Sequence, residues 1–261
     1  MASNNDVPGT AAFTKFMNVL QVVSDAPQPP SVGELSKALG YPRPTTHRIV
    51  AALLAEGMLV EAGTEGRVGL GPRLISLAYK SWEGSDLRAI AEPYLVQLRD
   101  RLDETVHLAM RSGLEMIYIS KLESRRTVRM ASRIGTRVTL YSSSVGKAWL
   151  SQQPVEDVKK LLSTVNVCPL TSNTITRLDS LLAEIETSAA RGYTTDLEEN
   201  EDDICCYGCP IVVPALGVVG CISVSMPSYR FHALDAGQAV EAIRACARAI
   251  AAQAQTRLTP Q

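Results

Sequence analysis

The sequence predicts an α+β protein in two parts, a three-helix unit closed by a β-hairpin and a larger mixed α/β unit. Two observations carry this. Between residues 13 and 70, three short stretches with apolar residues at helical spacing are followed by two short strand-like runs around a glycine-containing turn. Beyond residue 86, helical and strand periods alternate, which suggests helices packed on a mixed sheet.

At 261 residues the chain has room for one large or two modest domains. Its 46% hydrophobic and 20% charged composition is that of a globular protein. A net charge of −1 excludes a globally basic protein, so any nucleic-acid surface must be a local patch. The polar start MASNNDVPGT lacks a leader pattern and no long apolar run reads as a membrane span, so a cytoplasmic protein is expected. Six cysteines without export read as reduced thiols.

Residues 1–10 read as a disordered terminus. In residues 13–25, Phe16, Val19, Leu20 and Val23 share a helical face, and Ala26-Pro27-Gln28-Pro29-Pro30 ends it. Ser31 with Glu34 is a capping box opening a second helix that runs to Leu39 and stops at Gly40. Pro44 fits the first turn of a third helix that ends at Gly57 and turns Ile49, Val50, Leu53 and Leu54 inward. Strands at 58–61 and 67–70 flank a turn at 62–66, completing a winged helix-turn-helix over residues 11–71. Residues 72–85 form a linker helix, with Leu74, Leu77, Ala78 and Trp82 roughly on one side. The second unit, 86–257, has helical stretches near 86–103, 144–152, 154–163, 173–191 and 234–256, with Pro93 breaking or restarting the first. Its strand-like runs are 105–111, 114–122, 126–132, 210–214 and 217–226.

Six stretches can carry chemistry. Residues 36–55 hold Lys37, Arg43, His47 and Arg48 with no acid, and Thr45 and Thr46 open the third helix. Cations meet phosphates, and short polar side chains meet base edges. The plainer reading is a three-helix bundle with a solvated face, and for Arg48 a buried, acid-paired arginine. Arg67 on the wing can reach a minor groove or a phosphate, or the wing is simply an exposed hairpin tip. Ser142-Ser143-Ser144-Val145-Gly146-Lys147-Ala148 can offer free N–H groups to a carboxylate, or be an ordinary N-cap. The acidic stretch from Asp196 runs to Cys205, Cys206 and Cys209. Adjacent thiols without a nearby histidine suit buried cysteines better than a zinc site. In the run 221–226, Cys221, Ser223 and Ser225 face one side, as a pocket wall or as part of a mixed core strand. The basic run Lys121, Arg125, Arg126, Arg129, Arg133, Arg137 reads as a second nucleic-acid patch or, more simply, as a solvated face or salt bridges to the acidic loop. Nothing asks for a cofactor or a metal.

Together these stretches resemble the isocitrate lyase regulator (IclR) family of bacterial transcription factors. The resemblance lies in Leu35-Ser36-Lys37-Ala38-Leu39-Gly40 with Pro44-Thr45-Thr46-His47-Arg48-Ile49, in Leu70-Gly71-Pro72-Arg73-Leu74, and in Ser144-Val145-Gly146-Lys147-Ala148. It continues in Arg191-Gly192-Tyr193 through Glu198-Glu199-Asn200 and in Ile222-Ser223-Val224-Ser225, spanning roughly 13–250. Where many members have Cys-Val-Ala-Ala-Pro, this chain has Cys206-Tyr207-Gly208-Cys209-Pro210. The resemblance implies a GAF-like effector-binding domain and DNA binding as a homodimer or homotetramer. It also implies an effector pocket at Gly146, Asp196, Cys206, Ser223 and Ser225. The expectation is then a repressor of a catabolic operon, binding a double-stranded operator and a small carboxylic acid or related metabolite. The rival readings are a thiol-dependent enzyme built on Asp196, Cys206 and His107 or His232, and a DNA-independent sensor or scaffold.

Overall fold

The computed structural model describes residues 10–63, 66–83 and 87–258. The disorder expected for 1–10, the wing tip at 64–65 and the Trp82 side chain therefore lie outside the described residues, Thr10 excepted. The chain divides into two compact units between residues 85 and 86.

The first unit is α1 (Ala11–Asp25), α2 (Val32–Leu39), α3 (Arg43–Ala55), β1 (Leu59–Glu61), β2 (Val68–Leu70) and α4 (Pro72–Glu83). The capping box forms: Ser31 Oγ accepts the Glu34 N–H while Glu34 Oε2 accepts the Ser31 N–H at 2.7 Å. Pro44 sits in the first turn of α3. Val19, Leu20, Val23, Leu35, Ile49, Val50 and Leu53 bury one common core. Burying each such side chain contributes about 1.5–3 kcal/mol. The strands β1 and β2 pair antiparallel, Leu59 opposite Leu70. Where β2 meets α4, Gly71 passes over the end of α3, and a Cβ there would lie 2.2 Å from the Gly57 carbonyl oxygen. Gly71→Ala is therefore expected to overpack this crossing and cost about 1–3 kcal/mol or more, read as a lowered melting midpoint of the isolated first unit relative to wild type.

The second unit is α5 (Leu87–Leu102), β3 (Thr105–Ser112), β4 (Glu115–Leu122), β5 (Arg137–Thr139), α6 (Ser144–Leu150), α7 (Val155–Thr164), α8 (Leu178–Arg191), β6 (Thr194–Leu197), β7 (Ile204–Val213), β8 (Gly217–Pro227), α9 (Ser228–Ala233) and α10 (Ala236–Leu258). Its six strands form one antiparallel sheet in the order β5-β4-β3-β8-β7-β6. On one face α5 and α10 bury a cluster that includes Leu95, Leu98, Ile243 and Ile250 against Leu108, Ile222 and Val224. On the other, α6, α7 and α8 bury Val145, Leu150, Leu162 and Leu181 with Met116 and Cys221. The alternation read at 221–226 holds, Cys221 facing one layer and Ile222 and Val224 the other.

Three element assignments change. Pro93 does not break α5, which runs through it. Pro93 and Ala89, whose carbonyl loses its helical donor, are both exposed residues, on the side of the helix where solvent can replace a missing donor. Residues 126–132 are not a strand but a loop, and the strand that pairs β4 is Arg137–Thr139. Lys121 Nζ donates to the Met130 and Ser132 carbonyls at 2.8 and 2.7 Å, satisfying acceptors that a sheet neighbour would otherwise take. β6, α9 and the first half of β7 were not anticipated. No helix among the described residues is long and apolar enough to cross a membrane.

Candidate functional site

Two surfaces matter, one in each unit. In the first, α3 carries no acid in its first turn and presents Arg43, Pro44, His47, Arg48 and Ala51 to solvent. These residues recur every three to four positions, forming one exposed stripe opposite Ile49, Val50 and Leu53. Neither Arg43 nor Arg48 makes an ion pair with a described residue, so both guanidinium groups stay free for an external anion. The buried-arginine reading of Arg48 therefore fails. Lys37, in the last turn of α2, is exposed as well.

Two expected contact residues move out of this surface. Thr46 is fully buried and its Oγ1 donates to the Pro42 carbonyl at 3.3 Å, because it continues the Ile49–Val50–Leu53 row inward. Thr45, half-buried, remains beside the stripe. Arg67 is not a wing-tip cation: its Nη1 donates to the Pro29 carbonyl at 2.8 Å and pairs with Glu34 at 3.2 Å. It ties the wing's base to the start of α2. Thr46→Val is accordingly expected to leave DNA affinity within about twofold while costing about 1 kcal/mol of stability, checked by anisotropy titration alongside urea denaturation.

In the second unit, strand register assembles a polar cluster on the face beneath α6. Asp196 lies opposite Cys206, Cys206 opposite Ser225, and Ser225 opposite Thr105, in one cross-strand row. The next row is Thr194, Gly208, Ser223 and His107. Gly208 lets α6 approach, since a Cβ there would lie 2.6 Å from the Ser144 carbonyl oxygen. A cavity of about 40 Å³ opens between this face, the start of α6 and the 124–136 loop. Its walls include Asp196, Cys206, Ser225, Ser144, His107 and, from the loop, Ser132.

His107 stands at the centre. Its ring stacks on Tyr118 with centroids 4.3 Å apart. Nε2 meets Ser132 Oγ at 2.8 Å, and Nδ1 meets Ser223 and Ser225 Oγ at 3.3 and 3.4 Å. Burial first, then the Lys121 charge, pushes its pKa down to about 3, so the ring is neutral. Burial drives Asp196 the other way, up to about 7, against N–H bonds to its Oδ1 from Glu199 at 2.8 Å and Asn200 at 3.3 Å. Burial, reinforced by Asp196, holds the Cys206 thiol well above its ordinary range, the opposite of what a nucleophile needs.

Of the five effector residues expected, Asp196, Cys206 and Ser225 line the cavity. Ser223 stands behind them, against His107. Gly146 does not belong to the wall. Its N–H is taken by Ser143 Oγ at 3.0 Å, and its Cα packs on the Thr139–Leu140 backbone, so it cannot seat a carboxylate. The serine run is an N-cap. His107, Tyr118 and Ser132 were missed as cavity residues. The period-two alternation of β3 could have placed His107; the loop carried no signal for Ser132.

Behind the cavity a fully buried Lys147 meets Glu199 in an ion pair. Thr171 and Thr174 donate to the Glu198 and Glu199 carbonyls at 2.6 and 2.7 Å, fastening the same loop from outside. The basic run is largely neutralised: Arg125 pairs with Asp100, Arg126 with Asp103, Arg129 with Glu123 and Arg137 with Glu115. Those partners are local acids rather than the 196–203 loop. Among the described residues no group of His, Cys, Asp and Glu forms a metal cage.

Comparison with known proteins points to one family from both ends of the chain. Residues 12–63 match the model described as the IclR helix-turn-helix domain, and residues 79–252 the one described as bacterial transcriptional regulator IclR C-terminal. The chain is 28% identical to the HTH-type transcriptional regulator KdgR of Escherichia coli K12, over 93% of this chain and 92% of that one. It is 30% identical to the HTH-type transcriptional repressor AllR of the same organism, over 85% and 82%. The Thermotoga maritima IclR crystal structure superposes with TM-score 0.75 at 30% identity, covering 93% and 98%. An IclR homologue from Microbacterium hydrocarbonoxydans complexed with 4-hydroxybenzoate superposes with TM-score 0.81 at 22% identity, covering 94% and 100%.

Proposed function

The chain belongs to the IclR family of bacterial transcriptional regulators, and on that footing we propose that it is a repressor whose hold on an operator is set by a small molecule in the 40 Å³ cavity. It is a transcription regulator and not an enzyme, as are the families and relatives it matches. The observation that carries the proposal is the exposed, acid-free stripe of α3, with Arg43 and Arg48 in no ion pair among the described residues.

The stripe enters a major groove with His47 and Arg48 toward base edges, and Lys37 and Arg43 toward phosphates. Repression follows the relative AllR, which is named as a repressor, and a catabolic operon is the target we favour. Two such helices in a homodimer, or four in a homotetramer, meet half-sites about one helical turn or a multiple apart. The protein works beside the chromosome, in the cytoplasm. A ligand controls the operator only through unequal affinity for the DNA-competent and DNA-incompetent states. The Microbacterium homologue complexed with 4-hydroxybenzoate supports a small-molecule ligand for a chain of this fold. About three waters fill 40 Å³, so the ligand is small or the 124–136 loop moves to admit it.

The test is a gel shift on the DNA upstream of the chain's own gene. A specific retarded band that unlabelled random duplex does not compete away is expected. Absence of any specific band across low and moderate salt contradicts the proposal.

A further inference from the structure

We propose that Gly33 is a positioning residue for DNA binding: by lacking a side chain it lets the Arg43 guanidinium lie against the first turn of α2, ready for a DNA phosphate. The inference deepens the operator reading above and rests on it.

Nothing in the backbone asks for a glycine here. Gly33 is the second residue of α2 and is no cap, since Ser31 caps the start of the helix and Gly40 its end. Its φ lies outside the left-handed region that Gly40 occupies. After proline, glycine is the poorest helix former, so its place in the first turn is a local cost. What the missing Cβ provides is room. A Cβ on Gly33 would lie 3.0 Å from Arg43 Nη2, 3.8 Å from Cζ and 3.9 Å from Nε. Ordinary contact is about 3.5–4.0 Å, so the edge of the guanidinium and a side chain at position 33 compete for the same space.

Other crowded glycines face something different. Gly71 and Gly146 meet backbone, which cannot yield, whereas Gly33 meets the free end of a side chain, which can. Filling the space at position 33 therefore moves Arg43 and leaves the fold as it is.

Arg43 is thus held at both ends. At its root it stands between Pro42 and Pro44, whose rings fix φ on either side. At its tip the guanidinium rests on α2. Among the described residues no acid claims it. Glu34, the next residue along α2, accepts the Ser31 N–H and pairs with Arg67 instead. The group is placed, exposed and not neutralised. An arginine has much rotamer freedom to lose when it fastens onto a phosphate. One already confined by its neighbour loses less, and the difference appears as affinity.

The experiment uses the full chain as wild type, Gly33→Ala, Gly33→Leu and Arg43→Ala, and with each Gly33 substitution combined with Arg43→Ala. Affinity for the DNA upstream of the chain's own gene is measured by anisotropy over a range of salt. Circular dichroism and the melting midpoint are read on the same preparations. Gly33→Ala is expected to weaken binding about threefold and Gly33→Leu about tenfold, neither beyond the loss in Arg43→Ala. The slope of log K against log salt becomes shallower by up to about one, toward that of Arg43→Ala. Midpoints stay at or above wild type, because alanine and leucine both favour a helix over glycine. In the Arg43→Ala background both substitutions are silent, since the group they displace is gone. Equal affinity and slope for wild type and Gly33→Leu overturn the proposal. So does a loss that persists undiminished in the Arg43→Ala background, the mark of a direct clash with DNA. A loss that comes with a lowered midpoint, the mark of damage to α2, overturns it too. Specific binding by wild type is scored first. Its absence takes down the operator reading and this inference with it, and its presence leaves the variants to judge Gly33 alone.

Discussion

Glu199→Ala is expected to destabilise the second unit by about 3–5 kcal/mol, the cost of leaving a buried charge without its partner. Lys147 is wholly excluded from solvent, and Glu199 Oε1 is its only side-chain partner among the described residues. The pair joins α6 to the loop after β6, two segments that both touch the cavity. Glu199 is itself not ideally served: Oε2 is buried without a hydrogen bond among the described residues, and burial raises the acid's pKa despite the lysine beside it. The pair is therefore costly to break and not especially favourable to keep. Lys147→Met with Glu199→Leu is expected to recover most of the loss, because well-packed apolar replacements of buried pairs are often neutral or better. Urea denaturation of the two variants separates the cases. A Glu199→Ala cost below about 1 kcal/mol, the level of a surface pair, rejects the account of this contact.

The second large effect concerns DNA. Arg43→Ala with Arg48→Ala removes both free guanidinium groups from the α3 stripe without touching the Ile49–Val50–Leu53 face that holds the unit together. The expected loss is about 2–5 kcal/mol of operator affinity, the sum of one base-edge and one phosphate contact. Stability should change by no more than about 0.5 kcal/mol, since neither side chain is buried. Anisotropy titration with the operator and thermal unfolding, run on the same preparation, read the two quantities.

How much of this was legible in the chain depends on the range of each interaction. The capping box at Ser31 and Glu34 and the Pro44 start of α3 are contacts within four residues, and the sequence states them directly. The two-sidedness of β8 is likewise a local period. Thr46 was legible too: it shares the helical row of Ile49, Val50 and Leu53, and its hydroxyl drew attention away from that spacing. The run at 126–132 has strand-like residues, but strand formation needs a neighbour, and here a lysine side chain takes the carbonyls instead.

The cavity was the harder case. Asp196, Cys206 and Ser225 share a row only once register is fixed across three strands. Lys147 and Glu199 are separated by 52 positions, with no local pattern to join them. Gly146 belongs to the expected pocket only through the family resemblance, and the serine run by itself equally allows an ordinary N-cap. In the fold the preceding serine caps the Gly146 amide, and the Leu140 backbone fills the space a side chain would need.

The central claim is that the free cations of α3 are what bind DNA. It is tested most directly by the salt dependence of operator affinity in wild type and in the Arg43→Ala, Arg48→Ala double variant. The account predicts a steep fall of log K with log salt in wild type, and a slope shallower by about one to two in the variant. Equal slopes and equal affinities for the two proteins contradict it.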